Sequence, residues 1–352
     1  MLEPKKKILF ITGSMNQTSQ MHQISLQLPD FDCWFSQIFS DSAFVNYLIK
    51  HTRVLDGTIL AGQFKVNSEK YLKQNNLQID YRAQKNSYDL VVYCADMMVP
   101  PRMKACKTIW VQEGMIDRYT LASRIVKTLA LPPYLSGNTS LNGSSNVCDI
   151  YCTASQGYKN FFISKGGQQQ RFVVTGIPNY DNLRAFAKND FPYHDYVMVA
   201  TTDMRETFRF ENRPRFIKKA VKIAKGRQLL FKLHPNENVE RATREIKKYA
   251  PAGTLIFSTG NTNEMIANCT ELITQYSTVV YTGIALGKKV HSWFDVEELK
   301  RLTPIQNGGT SAIQIANVCR TYALYKGNKN NFIPTPAKKE LSNNHCYELV
   351  FN

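Results

Sequence analysis

His234 is the side chain best placed to do chemistry. It follows the apolar run LLFKL and opens His234-Pro235-Asn236-Glu237, so a strand delivers an imidazole to its carboxyl end. There the ring can bind a phosphate or move a proton near neutral pH. The plain alternative is a turn histidine held by local hydrogen bonds. A second run, TELIT, ends in Gln275-Tyr276-Ser277-Thr278. Two hydroxyls beside main-chain N–H groups at a helix start suit a diphosphate, or Ser277 simply caps the helix. A third run, VMVA, leads to Asp203, Arg205 and Glu206, where Arg205 is able to fork a phosphate. Gly13-Ser14, Asp96 and Glu113 hold the same place after three runs in the first half of the chain.

These residues need strands to carry them, and the chain supplies strands and helices in alternation. KKKILFITG reads as a buried strand and a small-residue turn, followed by a helix over SMNQTSQMHQISLQL with Met15, Met21, Ile24 and Leu28 on its core face. YDLVVYCAD, CKTIWVQEG, CDIYCTAS and QRFVVTGIPN continue the series. The pattern breaks at Ile177-Pro178-Asn179 and restarts with DYVMVATTD, then RPRFIKKAVKIAKG as a helix ending at Gly226, RQLLFKLHP as a strand and NVERATREIKKYAP as a helix stopped by Pro251. TLIFSTG and CTELITQYS follow. Strand, helix, strand at this rhythm predicts parallel sheets covered by helices on both faces. In such sheets ligands bind outside the carboxyl ends of strands, where all the residues above stand.

The chain has 352 residues, enough for two domains. No window approaches ~18 consecutive apolar residues, which excludes a membrane-spanning helix. The net charge of +16 calls for an anionic partner, but it is divided as +7 over residues 1–180 and +9 over 181–352. Without a basic arm or a zinc-finger, RNA-recognition or helix-turn-helix signature, nucleic acid is not the expected partner. Anionic lipid or phosphorylated substrate suits the charge better. The eight cysteines include no CxxC pair and read as small buried residues in a reducing compartment. ILFITG is too short for a signal peptide. A cytoplasmic protein is expected, with peripheral contact to an anionic membrane face as an option. The segment Arg124 to Leu135, RIVKTLALPPYL, is either an acceptor or membrane contact or a core helix.

In their order and spacing these pieces resemble the GT-B superfamily, specifically the UDP-N-acetylglucosamine 2-epimerase branch and neighbouring glycosyltransferases, over about residues 7 to 292. VTGIPNYDNL is similar to the family's VTGNxxxDAL, CDIYCTASQGYKNFFISKG to CDxxFAPTxxxxxNLxxEG, and FKLHPNE to the strand-HPNP motif, which puts His234 and Asn236 in place of the family's residues. VMVATTDMRETF stands where the family has HRREN, with Arg205 and Glu206 matching Arg-Glu and the His absent. ITGSMNQTSQMHQI takes the place of GTRPExIKxAP, VYCADM gives Asp96, and WVQEGM resembles HVEAG and gives Glu113. The resemblance implies an α/β, GT-B protein of two Rossmann-like, doubly wound parallel-sheet domains facing across a cleft. Residues 1–177 would be the acceptor side and 178–352 the nucleotide-sugar side.

The departures bear on the reaction. Where the epimerases carry a PEExNR-like stretch, this chain has RYTLASRIVKTLALPPYL, without a carboxylate. Their SGGxQEE becomes YSTVVYTGIALGK, closer to the YSSVxxDxxLLGKP of polymer glycerophosphate transferases and capsule-type glycosyltransferases, with Thr282 in place of the acid. The implied activity is a glycosyltransferase of surface-polysaccharide or glycolipid assembly. It would take a nucleotide-sugar donor and a glycan or glycolipid acceptor, with no cofactor and no metal. Asp96 or Glu113 would be the base toward the acceptor hydroxyl. His234, Arg205, Ser277 and Thr278 would hold the phosphates, with Gly13, Ser14, Glu206, Asn236 and Gln275 lining the substrate. A 2-epimerase or nucleotide-sugar hydrolase, and a non-catalytic binding protein, are the other readings. Oligomeric state is left open.

Overall fold

The computed structural model describes residues 4–53, 55–205 and 210–335. The described residues divide into two units, one running to 181 and resuming over 307–335, the other covering 182–306.

In the first unit six parallel strands lie in the order β2-β1-β3-β4-β5-β6. They are β1 (Lys7–Thr12), β2 (Asp32–Gln37), β3 (Leu90–Tyr93), β4 (Lys107–Val111), β5 (Ile150–Thr153) and β6 (Phe172–Val174). Their partly or fully buried runs, such as LVVY in β3 and IYCT in β5, are what helices on both faces require. The strand missing from the sequence reading is β2, DCWFSQ. It is an edge strand whose first three residues are only half-buried, so it lacks a continuous apolar run. The crossovers are α1 (Met15–Ser25), α2 (Ala43–His51), α3 (Gly62–Gln74), α4 (Leu121–Thr128) and α5 (Gln156–Ser164). Helix α1 begins at a reciprocal cap between Ser14 and Gln17. Met21, Ile24 and Leu28 enter the core as expected, whereas Met15 is exposed.

In the second unit five parallel strands lie in the order β11-β10-β7-β8-β9. They are β7 (Val197–Ala200), β8 (Leu229–Lys232), β9 (Leu255–Phe257), β10 (Glu271–Thr274) and β11 (Lys289–His291). The helices are α6 (Arg213–Ala224), α7 (Val239–Tyr249), α8 (Thr262–Asn268), α9 (Val279–Ala285) and α10 (Val296–Leu302). Helix α6 stops one step before Gly226, because Lys225 already takes the left-handed conformation (φ 51°), and Gly226 follows at φ 82°.

The last helix, α11 (Ser311–Leu324), corrects the expected boundary. It lies C-terminal to the second sheet in sequence but belongs to the first unit, where Ile315, Ala316, Val318, Cys319 and Tyr322 join the core of β1, β3 and β4. The Asp181 carboxylate accepts from Ser311 N at its start (2.7 Å). At its end Lys107 Nζ donates to the carbonyls of Tyr322 (2.8 Å) and Tyr325 (2.6 Å), and Lys6 Nζ to Ala323 (3.0 Å). An anion at the amino end and cations at the carboxyl end match the helix dipole.

Candidate active site

Each sheet reverses its winding once. In the second unit the chain goes from β7 to β8 on one side and reaches β10 on the other, so the switch point lies between the carboxyl ends of β7 and β10. Thr202, just past β7, donates to the Gln275 side-chain carbonyl just past β10 (3.3 Å). Gln275 is fully buried, and its Nε2 has no hydrogen-bond partner among the described residues.

His234 stands at the exit of β8, with its side chain 33% exposed. Its Nδ1 accepts from Asn236 N (3.2 Å) and lies 3.6 Å from the Asp203 carboxylate, which also accepts from Asn236 Nδ2 (3.0 Å). A neutral ring whose Nδ1 accepts keeps its proton on Nε2. The main chain is fixed independently of the ring. His234 N donates to the Glu237 carboxylate (2.9 Å), which also accepts from the Thr201 hydroxyl and from Arg213. Arg213, 1% exposed, donates further to Glu211 (2.9 Å). Glu237 and Arg213 are therefore a buried brace beneath the turn. Sequence reasoning missed this role, although Glu237 is part of the quoted motif.

Four predicted residues of this unit need separate comment. Arg205, expected to fork a phosphate, is paired with carboxylates here: its two Nη groups meet both oxygens of Glu245 (2.9 and 2.8 Å), and its Nε lies 3.3 Å from Glu211. The partner sits 40 residues away, beyond any local pattern. Glu206 lies outside the described residues. The cap of α9 is Thr278 rather than Ser277, and its side chain makes no capping bond. The Ser277 hydroxyl accepts only a long contact from Val279 N (3.4 Å), and both residues are half-buried. The substituted Thr282 points inward to Asn263 (3.2 Å).

In the first unit the switch point falls between β1 and β3. Glu113, two residues past β4, is held there by neutral groups: Gln17 Nε2 donates to it at 2.9 Å and the Ser14 hydroxyl at 3.4 Å. Burial pushes its carboxyl above the ordinary range, and contacts from Gln17, Asn16 and Ser14 offset part of that rise. Tyr180 hydrogen-bonds Asn16 (3.4 Å), and burial together with the charge of Glu113 pushes its phenol up to about 12. Gly13 explains the placement of Gln17, because a Cβ at position 13 would come within 2.3 Å of Gln17 Oε1. Gln17 was legible only as the fourth residue of a helix-cap pattern.

Asp96, expected as a candidate base, is buried and hydrogen-bonded. It is 1% exposed and accepts from Gly143 N (2.9 Å), the Ser145 hydroxyl and the Tyr151 hydroxyl (3.2 Å), which together fasten the 142–151 loop to β3. Two other carboxylates that follow these strands are also committed, Asp41 to Arg102 (3.3 Å) and Asp117 to Thr139 N (2.9 Å). Among the described residues no group of three or more His, Cys, Asp or Glu side chains could hold a metal ion.

Two doubly wound parallel sheets, of orders 2-1-3-4-5-6 and 3-2-1-4-5, with polar residues at their carboxyl ends make this an α/β protein of the GT-B fold. That fold is shared with solved UDP-N-acetylglucosamine 2-epimerases. The Neisseria meningitidis enzyme, bound to UDP-N-acetylglucosamine, aligns over 90% of this chain and 100% of its own at 11% identity and a TM-score of 0.53. The Methanocaldococcus jannaschii enzyme, in complex with UDP-N-acetylglucosamine and UDP, gives 90%, 99%, 12% and 0.53. The enzyme from Rickettsia bellii gives 91%, 97%, 11% and 0.50. No protein-family model and no curated protein matches the sequence.

Proposed function

We propose that the chain is a GT-B glycosyltransferase that uses a nucleotide-sugar donor to build a surface polysaccharide or glycolipid. The observation that carries this reading is the His234 turn. Its backbone is pinned by Glu237, and its Nε2 makes no hydrogen bond to any described residue, one strand from the β7/β10 switch point. In this role Nε2–H donates to the donor's diphosphate, joined by the Ser277 and Thr278 hydroxyls and the unpaired Gln275 amide, and together they offset charge on the departing nucleotide. Asn236 holds the ring through its main-chain N–H. As the bond to the diphosphate breaks, the attacking acceptor hydroxyl must lose its proton, and Glu113 of the first unit is the carboxylate we propose as its base. A raised pKa suits a base that works near neutral pH.

A 2-epimerase is the second reading, favoured by the solved 2-epimerases that share the fold. Epimerisation needs an acid and a base around one sugar, and Asp96 is committed to the 142–151 loop. Of the two carboxylates expected to act, that leaves Glu113, and a single carboxylate favours transfer. Incubation with UDP-N-acetylglucosamine, followed by proton NMR, separates the two. Slow donor hydrolysis without an epimer is expected, and appearance of the manno isomer would establish the epimerase instead. His234→Ala is expected to abolish nucleotide-dependent thermal stabilisation, and its retention would remove the turn from the site.

A further inference from the structure

Helix α4 is built inside out. Its inward positions are Ser123, fully buried, and Val126, while Leu121 (74% exposed), Ile125 and Leu129 (63% exposed) form an outward stripe at i, i+4 and i+8. In the segment that follows the helix, Leu131, Tyr134 and Leu135 are exposed as well. A core helix, one of the two alternatives raised by the sequence, would show the opposite arrangement.

The orientation is fixed by polar contacts rather than left to fraying. Thr120 and Ser123 cap each other reciprocally (3.1 and 3.2 Å), Ser140 donates to Ser123 (2.7 Å), and Asp117 ties down Thr139 N (2.9 Å). Apolar side chains held outward in one contiguous patch mark an interaction surface.

Charge identifies the partner. From Arg118 to Cys148 the chain has no Asp or Glu, and it carries Arg118, Arg124 and Lys127. Arg124 and Lys127 are exposed, and neither has a carboxylate partner among the described residues. Lys165 joins them over the Tyr119 ring at 4.6 Å. An apolar stripe edged by unneutralised cations matches the boundary of an anionic bilayer, where acyl chains accept the leucines and headgroup phosphates the basic side chains. A second protein copy of the same +16 charge would be repelled.

We infer that the α4 segment, residues 118–135, docks this protein onto membranes rich in anionic phospholipid. The surface is borne on the segment leaving β4, the strand that also positions Glu113. It stands whichever reaction the chain performs.

The test is co-sedimentation of the full chain with vesicles of phosphatidylcholine alone or with about one-third phosphatidylglycerol. Binding is expected to the anionic vesicles and to fall with added salt. At about fivefold per basic side chain, Arg124→Glu with Lys127→Glu should weaken it at least about 25-fold. Ile125→Asn with Leu129→Asn should weaken it more than about tenfold. Thermal unfolding of the Ile125/Leu129 variant should match the parent, since both side chains are exposed, and Lys127→Gln, which keeps a donor toward the Lys165 carbonyl, checks the charge effect separately. Equal binding to neutral vesicles, no vesicle binding, or binding untouched by either variant would overturn the inference. So would light scattering showing a dimer that the Ile125/Leu129 variant dissolves without any vesicle binding.

Discussion

The chemistry assigned to Glu113 depends on a balance between two opposed effects on one carboxyl group. Burial raises its pKa, and the Gln17 amide is foremost among the donors that lower it. Removing that donor should therefore raise the pKa further. A base must be ionised, so activity falls as pH drops through this value, and Gln17→Ala should move the acidic limb of the pH–rate profile to higher pH. A limb that stays put would exclude Glu113 as the titrating base. The same shift has a stability consequence of fixed sign. A folded pKa above the unfolded one gives a contribution complete below the ordinary glutamate range and lost as pH rises through the folded value. Glu113→Gln should accordingly stabilise the fold at neutral pH while abolishing turnover, as thermal unfolding across pH will show. Glu113 was legible in the sequence because it closes an apolar run. The partner of Arg205 was not legible for the complementary reason: its type suits phosphate, but only long-range folding brings Glu245 to it.

At the scale of elements, the turn after β8 is held by a carboxylate that touches no ligand in the proposed reaction. Glu237 satisfies a main-chain N–H, a threonine hydroxyl and a buried guanidinium together. Such an arrangement is worth little against an apolar replacement of the whole network, but breaking one member leaves buried charge and donors unpaired. Glu237→Ala should cost roughly 3–5 kcal/mol in urea unfolding, the range for breaking a buried pair. It should also weaken nucleotide binding through the displaced imidazole. Full nucleotide binding at unchanged stability would show that the turn needs no brace. The β8 strand and its histidine were readable because LLFK is continuously buried. The brace was not, since its other members come from Thr201 and Arg213, on β7's exit and on α6. Helix α4 failed to declare itself for a related reason. Apolar periodicity finds a stripe, but only the contacts of Ser123 decide that the stripe faces outward.

For the molecule as a whole, the informative element is α11, because sequence order assigns it to one unit and packing to the other. An amphipathic helix read alone does not reveal which sheet it covers. Its place is fixed at its ends, where Asp181 meets the amino terminus and Lys6 and Lys107 meet the last carbonyls, and by its buried face. Lys107 is partly desolvated, which lowers its pKa, and the carbonyls of α11 are its hydrogen-bond acceptors. The first sheet is thus covered by a helix that follows the second unit's described residues in sequence. Ile315 is fully buried within the cluster containing Ile8, Phe10, Leu90 and Ile109. Ile315→Ala should cost about 2–5 kcal/mol, and the loss should fall on the first unit alone. Hydrogen exchange provides the reading residue by residue. Amides of β1, β3 and β4 should lose protection in the variant, while those of β7, β8 and β10 keep theirs. Loss of protection in the second sheet instead would return α11 to the unit that precedes it in sequence.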